Sequence, residues 1–157
     1  MIKKTETGMT IIVKTITRYT VGLILLYGIY IVLHGHLTPG GGFAGGVIIA
    51  LSFIHLMLAF GKDVALKKMS DKLAGILESL GAIMFATIAI IGLLVSGFLF
   101  FNFLTGQKPN PSSFFNLFSS GIIPLCNIAI CLKVGAGLFG IFVALVFFKF
   151  INNGKAQ

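Results

Sequence analysis

Lys133 stands inside an apolar run, about eleven residues past its start at Ile122 and about sixteen before Lys149. An ammonium near the middle of a membrane helix costs at least ~2.5–3.5 kcal/mol on insertion scales, so it needs a partner, water or an ion path. Gly135, Ala136, Gly137 and Gly140 follow it and offer small surfaces for close helix packing or local unwinding. A structural lysine, hydrogen-bonded to carbonyls of a neighbouring subunit, is the competing reading. His55 and Glu78 come next: each lies about five residues from one end of an apolar run, at a depth where they could form a pair titrating near neutrality. The alternative is a solvated helix acid at Glu78 and a His55 bonded to a backbone carbonyl.

His34 and His36 flank Gly35 at the end of the first apolar run. They could accept protons at an outer mouth or serve as polar anchors at the interface. Without a neighbouring Cys or carboxylate they are a weak metal pair, and no metal or cofactor is expected. They open a stretch in which Gly35, Pro39, Gly40, Gly41, Gly42, Gly45 and Gly46 surround Phe43. Each glycine costs a helix roughly 1 kcal/mol relative to alanine. A chain that breaks its apolar pattern this way is turning at a membrane surface or leaving irregular backbone at depth, where protein or water must cover it. The stretch is not a phosphate loop, because it lacks the Lys-Ser/Thr and does not follow a strand. No nucleophile, base and acid can be assembled, so an enzyme acting alone is not expected. Cys126 and Cys131 point to different helix faces and read as buried free thiols.

Apolar residues make up 57% of the chain and charged residues 10%, with a mean hydropathy of +1.04, which excludes a soluble globular domain. The 157 residues read as one all-α membrane domain with four spans, at about 11–33, 43–60, 80–101 and 124–149. Lys14 and Arg18 can snorkel from the first span, Ser70 is placed to cap the third helix, and Pro124 falls in the first turn of the fourth. Lys3 and Lys4 precede no cleavage site, so the first span is expected to be retained.

The net charge of +8 reflects topology rather than nucleic-acid binding. With four spans, one side carries Lys3, Lys4, Lys14, Arg18, Lys62, Lys67, Lys68, Lys72, Lys149 and Lys155, while the other carries Lys108. The positive-inside rule then predicts a multi-pass membrane protein with both termini cytoplasmic and the glycine stretch outside. The outer segment Thr105–Gly121 reads as a turn at Pro109–Ser113, followed by an apolar knot at Phe114–Phe118 that asks for an interface or a neighbour.

The stretch Gly35-His36-Leu37-Thr38-Pro39-Gly40-Gly41-Gly42-Phe43-Ala44-Gly45-Gly46, set between two of four spans, resembles the signature of the MnhB/MrpB family. These are the B subunits of multisubunit cation/proton antiporters. Pro124-Leu125-Cys126-Asn127 and Leu132-Lys133-Val134-Gly135-Ala136-Gly137-Leu138 are similar to that family's last helix, and Ala44 departs from the larger polar residue expected there. The resemblance implies a small subunit of an assembly exchanging Na+ or another monovalent cation for H+. Its partners would be other small and large antiporter-like membrane subunits and the lipid bilayer. It implies the glycine stretch as the functional loop and Lys133 as the intramembrane basic residue. The same module occurs in redox-driven pumps of the membrane-bound hydrogenase type. A structural scaffold subunit and a homo-oligomeric transporter are the remaining readings. One chain offers too few titratable groups for a complete proton path, which favours a subunit.

Overall fold

The computed structural model describes residues 9–37, 40–104 and 120–154. The expected turn at Pro109–Ser113 and knot at Phe114–Phe118 lie outside these, as does Pro39. The described residues form five helices: α1 (Ile11–Leu33), α2 (Gly41–Phe60), α3 (Lys62–Lys68), α4 (Asp71–Ser96) and α5 (Ile123–Gly154). Four of them contain windows long and apolar enough to cross a membrane, the last over Ile123–Phe148. The 20 residues of α2 extend about 30 Å, the thickness of a hydrocarbon core.

The order of packing is α1, α2, α5, α4, with α5 at the centre of the bundle. Residues on the outside are apolar: Ile12, Ile16, Tyr19, Leu23 and Leu26 line the open face of α1, and Ile83, Ile90 and Leu94 that of α4. In water such a surface would aggregate; facing acyl chains or other membrane subunits, it needs no cover.

The second half of the glycine stretch, from Gly41 onward, is helical. Gly40, at φ 99°, caps α2, and Gly41, Gly42, Gly45 and Gly46 are buried within its first turns. The second helix therefore starts at Gly41, two residues before Phe43, and among the described residues of the stretch, 35–37 and Gly40 are non-helical. Packing accounts for the glycines inside the helix. A Cβ on Gly42 would run into the Asn127 carbonyl, and one on Gly46 would lie 3.0 Å from the Cys131 carbonyl. On the other face, a Cβ on Gly45 would collide with Val32, and one on Gly28 of α1 would lie 3.3 Å from the Gly45 carbonyl. The helix-breaking residue is kept because three backbones meet there.

The third apolar helix covers Asp71–Ser96, starting just after Ser70 as its capping residue implied and ending short of 101. Ser70 caps it, accepting from Leu73 N at 3.2 Å. Gly97, left-handed at φ 78°, ends it, donating to Leu93 O at 2.8 Å. The chain then folds back: Phe100 packs on Phe85 with ring centroids 5.0 Å apart, and Gly92 makes room for the Phe100–Phe101 backbone. Asn102 clips this return to the start of α5, accepting from Ile122 N and donating to Ser120 O, both at 3.3 Å. At the opposite end α3 inserts Ala65 and Met69 against Met57, Ala74, Ala136, Phe139 and Val143.

The glycine seam makes a direct prediction. Gly42→Ala should lower the thermal stability of the purified protein by about 1–3 kcal/mol, the usual cost of overpacking. Gly22→Ala, where nothing lies within 4 Å, should leave the melting temperature unchanged or raise it.

Candidate functional site

Two seams of small residues set the register of α5 against its neighbours. Gly42 donates to Asn127 Oδ1 at 3.3 Å, and Gly46 packs on Cys131 four residues further along both helices. On the other side of α5, a Cβ on Gly81 of α4 would lie 2.6 Å from the Ala129 carbonyl and 2.7 Å from Lys133 N. Gly137 faces the Glu78 carboxylate, which lies 3.5 Å from its ideal Cβ. This register brings Lys133 Nζ to 3.6 Å from Glu78 Oε1, an ion pair across α4 and α5.

Its depth follows from the helices. Lys133 is about ten residues, or ~15 Å, beyond Ile123. Glu78 is about seven residues, or ~10 Å, beyond Asp71. The α2–α5 register carries the level of Gly137 to about Ser52, near the middle of α2. Glu78 therefore stands level with the middle of the apolar helix α2.

The pair is also on the outside of the chain, the Lys133 and Glu78 side chains being 54% and 46% exposed. It borders a groove of about 280 Å³ walled by Phe43, Val134, Gly137, Leu138 and Ile141. Two opposite charges neutralise each other's field, but their remaining donors and acceptors face that groove. Hydrocarbon cannot satisfy them.

The His55–Glu78 pair that similar depth allowed is not found among the described residues. His55 Nε2 instead lies 3.1 Å from Thr17 Oγ1, in a hydrogen bond that ties α2 to the fully buried Thr17 of α1. Helix order is the physical reason: α5 separates α2 from α4, so equal depth does not bring the two residues together. His34 and His36 also part company. His34 Nδ1 donates to Tyr30 O at 3.0 Å and its ring stacks on Tyr30, whereas both ring nitrogens of His36 are buried without a hydrogen-bond partner among the described residues. No group of three His, Cys, Asp or Glu side chains able to hold a metal ion is found among the described residues.

Asn127 emerges as a residue that sequence reasoning left without a role. It joins the glycine stretch to α5: a Cβ on Gly35 or Gly41 would lie 2.5 or 2.8 Å from its carboxamide. Its Oδ1 takes the Gly42 N–H, while Nδ2 is buried with no partner among the described residues. The available signal was an asparagine in an apolar run, six residues before Lys133.

Four helices long and apolar enough to cross a membrane define a multi-pass membrane protein. Residues 12–140 match the family model described as a domain related to the MnhB subunit of the Na+/H+ antiporter, and the chain belongs to that family. An uncharacterized protein of Methanocaldococcus jannaschii is 42% identical over 74% of this chain and 44% of its own length. A putative antiporter subunit, mnhB2, of Staphylococcus aureus is 38% identical over 55% of this chain and 52% of its own. The chain thus spans about half the length of these curated relatives. Among solved structures, a chain of the membrane-bound sulfane sulfur reductase, an archaeal respiratory membrane complex, matches with a TM-score of 0.68 and 33% identity. The match covers 89% of this chain and 61% of that one.

The ion pair can be tested by its coupling. Lys133→Met or Glu78→Gln alone strands one charge and should cost about 2.5–3.5 kcal/mol, the scale of an unpaired charge near the middle of a membrane helix. The double variant should recover most of that loss in thermal unfolding of the purified protein, and a strictly additive result would show that the two residues do not interact.

Proposed function

We propose that this chain is a small membrane subunit of a multisubunit Na+/H+ antiporter, contributing to subunit packing and to the ion path. The observation that carries the reading is the Lys133–Glu78 pair, charged, at mid-depth and half uncovered. Lipid cannot solvate that face, so another membrane subunit or a water-filled passage must lie against it. A monovalent cation or proton passing there would meet a carboxylate whose charge is balanced by an ammonium, and movement of Lys133 away from Glu78 would free the carboxylate for a cation. Membership in a family related to an antiporter subunit supports the assignment of ion and partner class. His36, with its unpartnered ring nitrogens, is the candidate for proton exchange nearer the glycine end. The charge bias of the sequence supports an orientation with both termini and α3 in the cytoplasm and the glycine stretch outside.

The similarity to a respiratory membrane complex favours a second reading, in which the same module serves an ion pump driven by a redox arm. The residues of this chain would act alike in both settings, since the driving reaction belongs to other subunits. Genes for a redox module beside this one would select the second reading.

Lys133→Ala in the assembled complex should reduce cation-dependent proton exchange in membrane vesicles at least about tenfold while subunits still co-purify. Near-normal exchange by an intact complex would leave a scaffold role only. The chain reconstituted alone should give no cation-coupled proton flux, and measurable flux would favour a homo-oligomeric transporter.

A further inference from the structure

A second groove, distinct from the ion pair, runs between α2 and α4 with α5 as its floor. Its walls are Ile49 and Phe53 of α2 and Leu73 and Leu77 of α4, its floor includes Leu132 and Ala136, and its volume is about 280 Å³. The walls are entirely apolar until the lysine-rich end of the bundle, where the groove meets Met69 and the side chain of Lys68. There α3 and the core beneath it close the slot: Met69, Ala65 and Ala74 are buried against Phe139 and Val143. The groove therefore lies along the membrane, apolar along its walls, with a cation at the end where the apolar spans α2 and α4 stop.

We propose that this groove holds one acyl chain of an anionic phospholipid, whose phosphate is met by Lys68. The charge complementarity is local. Lys67 lies beside Lys68 in the last turn of α3 and Lys72 stands on the first turn of α4, against Asp63 in the first turn of α3 and Asp71 in that of α4. Lys68 is exposed, so its ammonium is available to a headgroup. A lysine at a membrane surface favours an anionic over a zwitterionic headgroup by an amount that decides occupancy in mixed bilayers. A protein helix is the poorer occupant, because it would have to set a complementary acid against Lys68 at one end of an otherwise apolar slot. The lipid would wedge α2 and α4 apart on the face of α5 that their side chains leave open. This site does not depend on the antiporter reading, and its test does not measure transport.

The chain contains no tryptophan, so a single introduced indole reports its own surroundings. Phe53→Trp places one on the groove wall, and Leu23→Trp places one on the 70%-exposed outer face of α1 as a reference. The full chain in nanodiscs of unbrominated phosphatidylcholine would be titrated with phosphatidylglycerol or phosphatidylcholine carrying brominated acyl chains, which quench indole fluorescence. Quenching of Phe53→Trp should require about fivefold less phosphatidylglycerol than phosphatidylcholine, while Leu23→Trp shows no preference. Adding Lys68→Gln should bring the ratio close to one, and Lys68→Glu should invert it. Equal quenching by both lipids at the groove, absence of quenching there, or a preference that survives Lys68→Gln would each overturn the proposal. Circular dichroism and the unchanged Leu23→Trp response in a Lys68→Gln background separate these outcomes from misfolding.

Discussion

Backbone contact on both sides of α5 is the constraint from which the rest of this structure follows. Helix axes usually stand 8–10 Å apart because side chains keep them there. Here Gly42 and Gly46 on one side, and Gly81 on the other, bring main chains into direct contact. In a membrane there is no hydrophobic force between helices to compensate a poor fit, so association depends on such close van der Waals packing and on interhelical hydrogen bonds. The Gly42–Asn127 bond supplies one of the latter at the narrowest point. Each glycine sacrifices helix propensity in α2, and the loss is offset by contacts that no larger residue could make.

The close approach also explains where the charges are. Holding α4 against α5 through Gly81 and Gly137 leaves Glu78 and Lys133 facing each other at one level, with no side chain between them. The same helix order separates His55 from Glu78 and sends it to Thr17 instead. A pair that is half uncovered is a poor arrangement against lipid and a reasonable one beside the neighbour proposed above. Membership in the MnhB family fits that setting. The groove on the other open face of α5 differs in kind: its walls are apolar and its single cation stands at one end. Two gaps beside one helix therefore present different chemistry to their surroundings.

Much of the architecture was legible in the residues. Four apolar runs, the cap at Ser70 and the proline at the start of α5 predict helices whose ends fall close to the observed ones at Ile11, Phe60 and Ile123. Hydropathy could not locate the end of α4, because Phe98, Phe100 and Phe101 are as apolar as the helix before them. Gly97 and the fold-back onto Gly92 decide it. Nor could composition tell a glycine that breaks a helix from one that allows a neighbour to approach.

Taken by itself, the sequence determined the class of protein, the number of spans and the presence of Lys133 at a depth that demands a partner, because hydrophobicity and length are properties of local segments. It also carried the family signature. Only the tertiary structure decided that the partner is Glu78, that His55 serves a helix contact, and that Asn127 joins the glycine stretch to the lysine helix. Pairing of that kind depends on which helices are neighbours and how they are registered, and those are set by steric fit between elements distant in the chain. The glycines record that fit in the sequence without naming what they fit against.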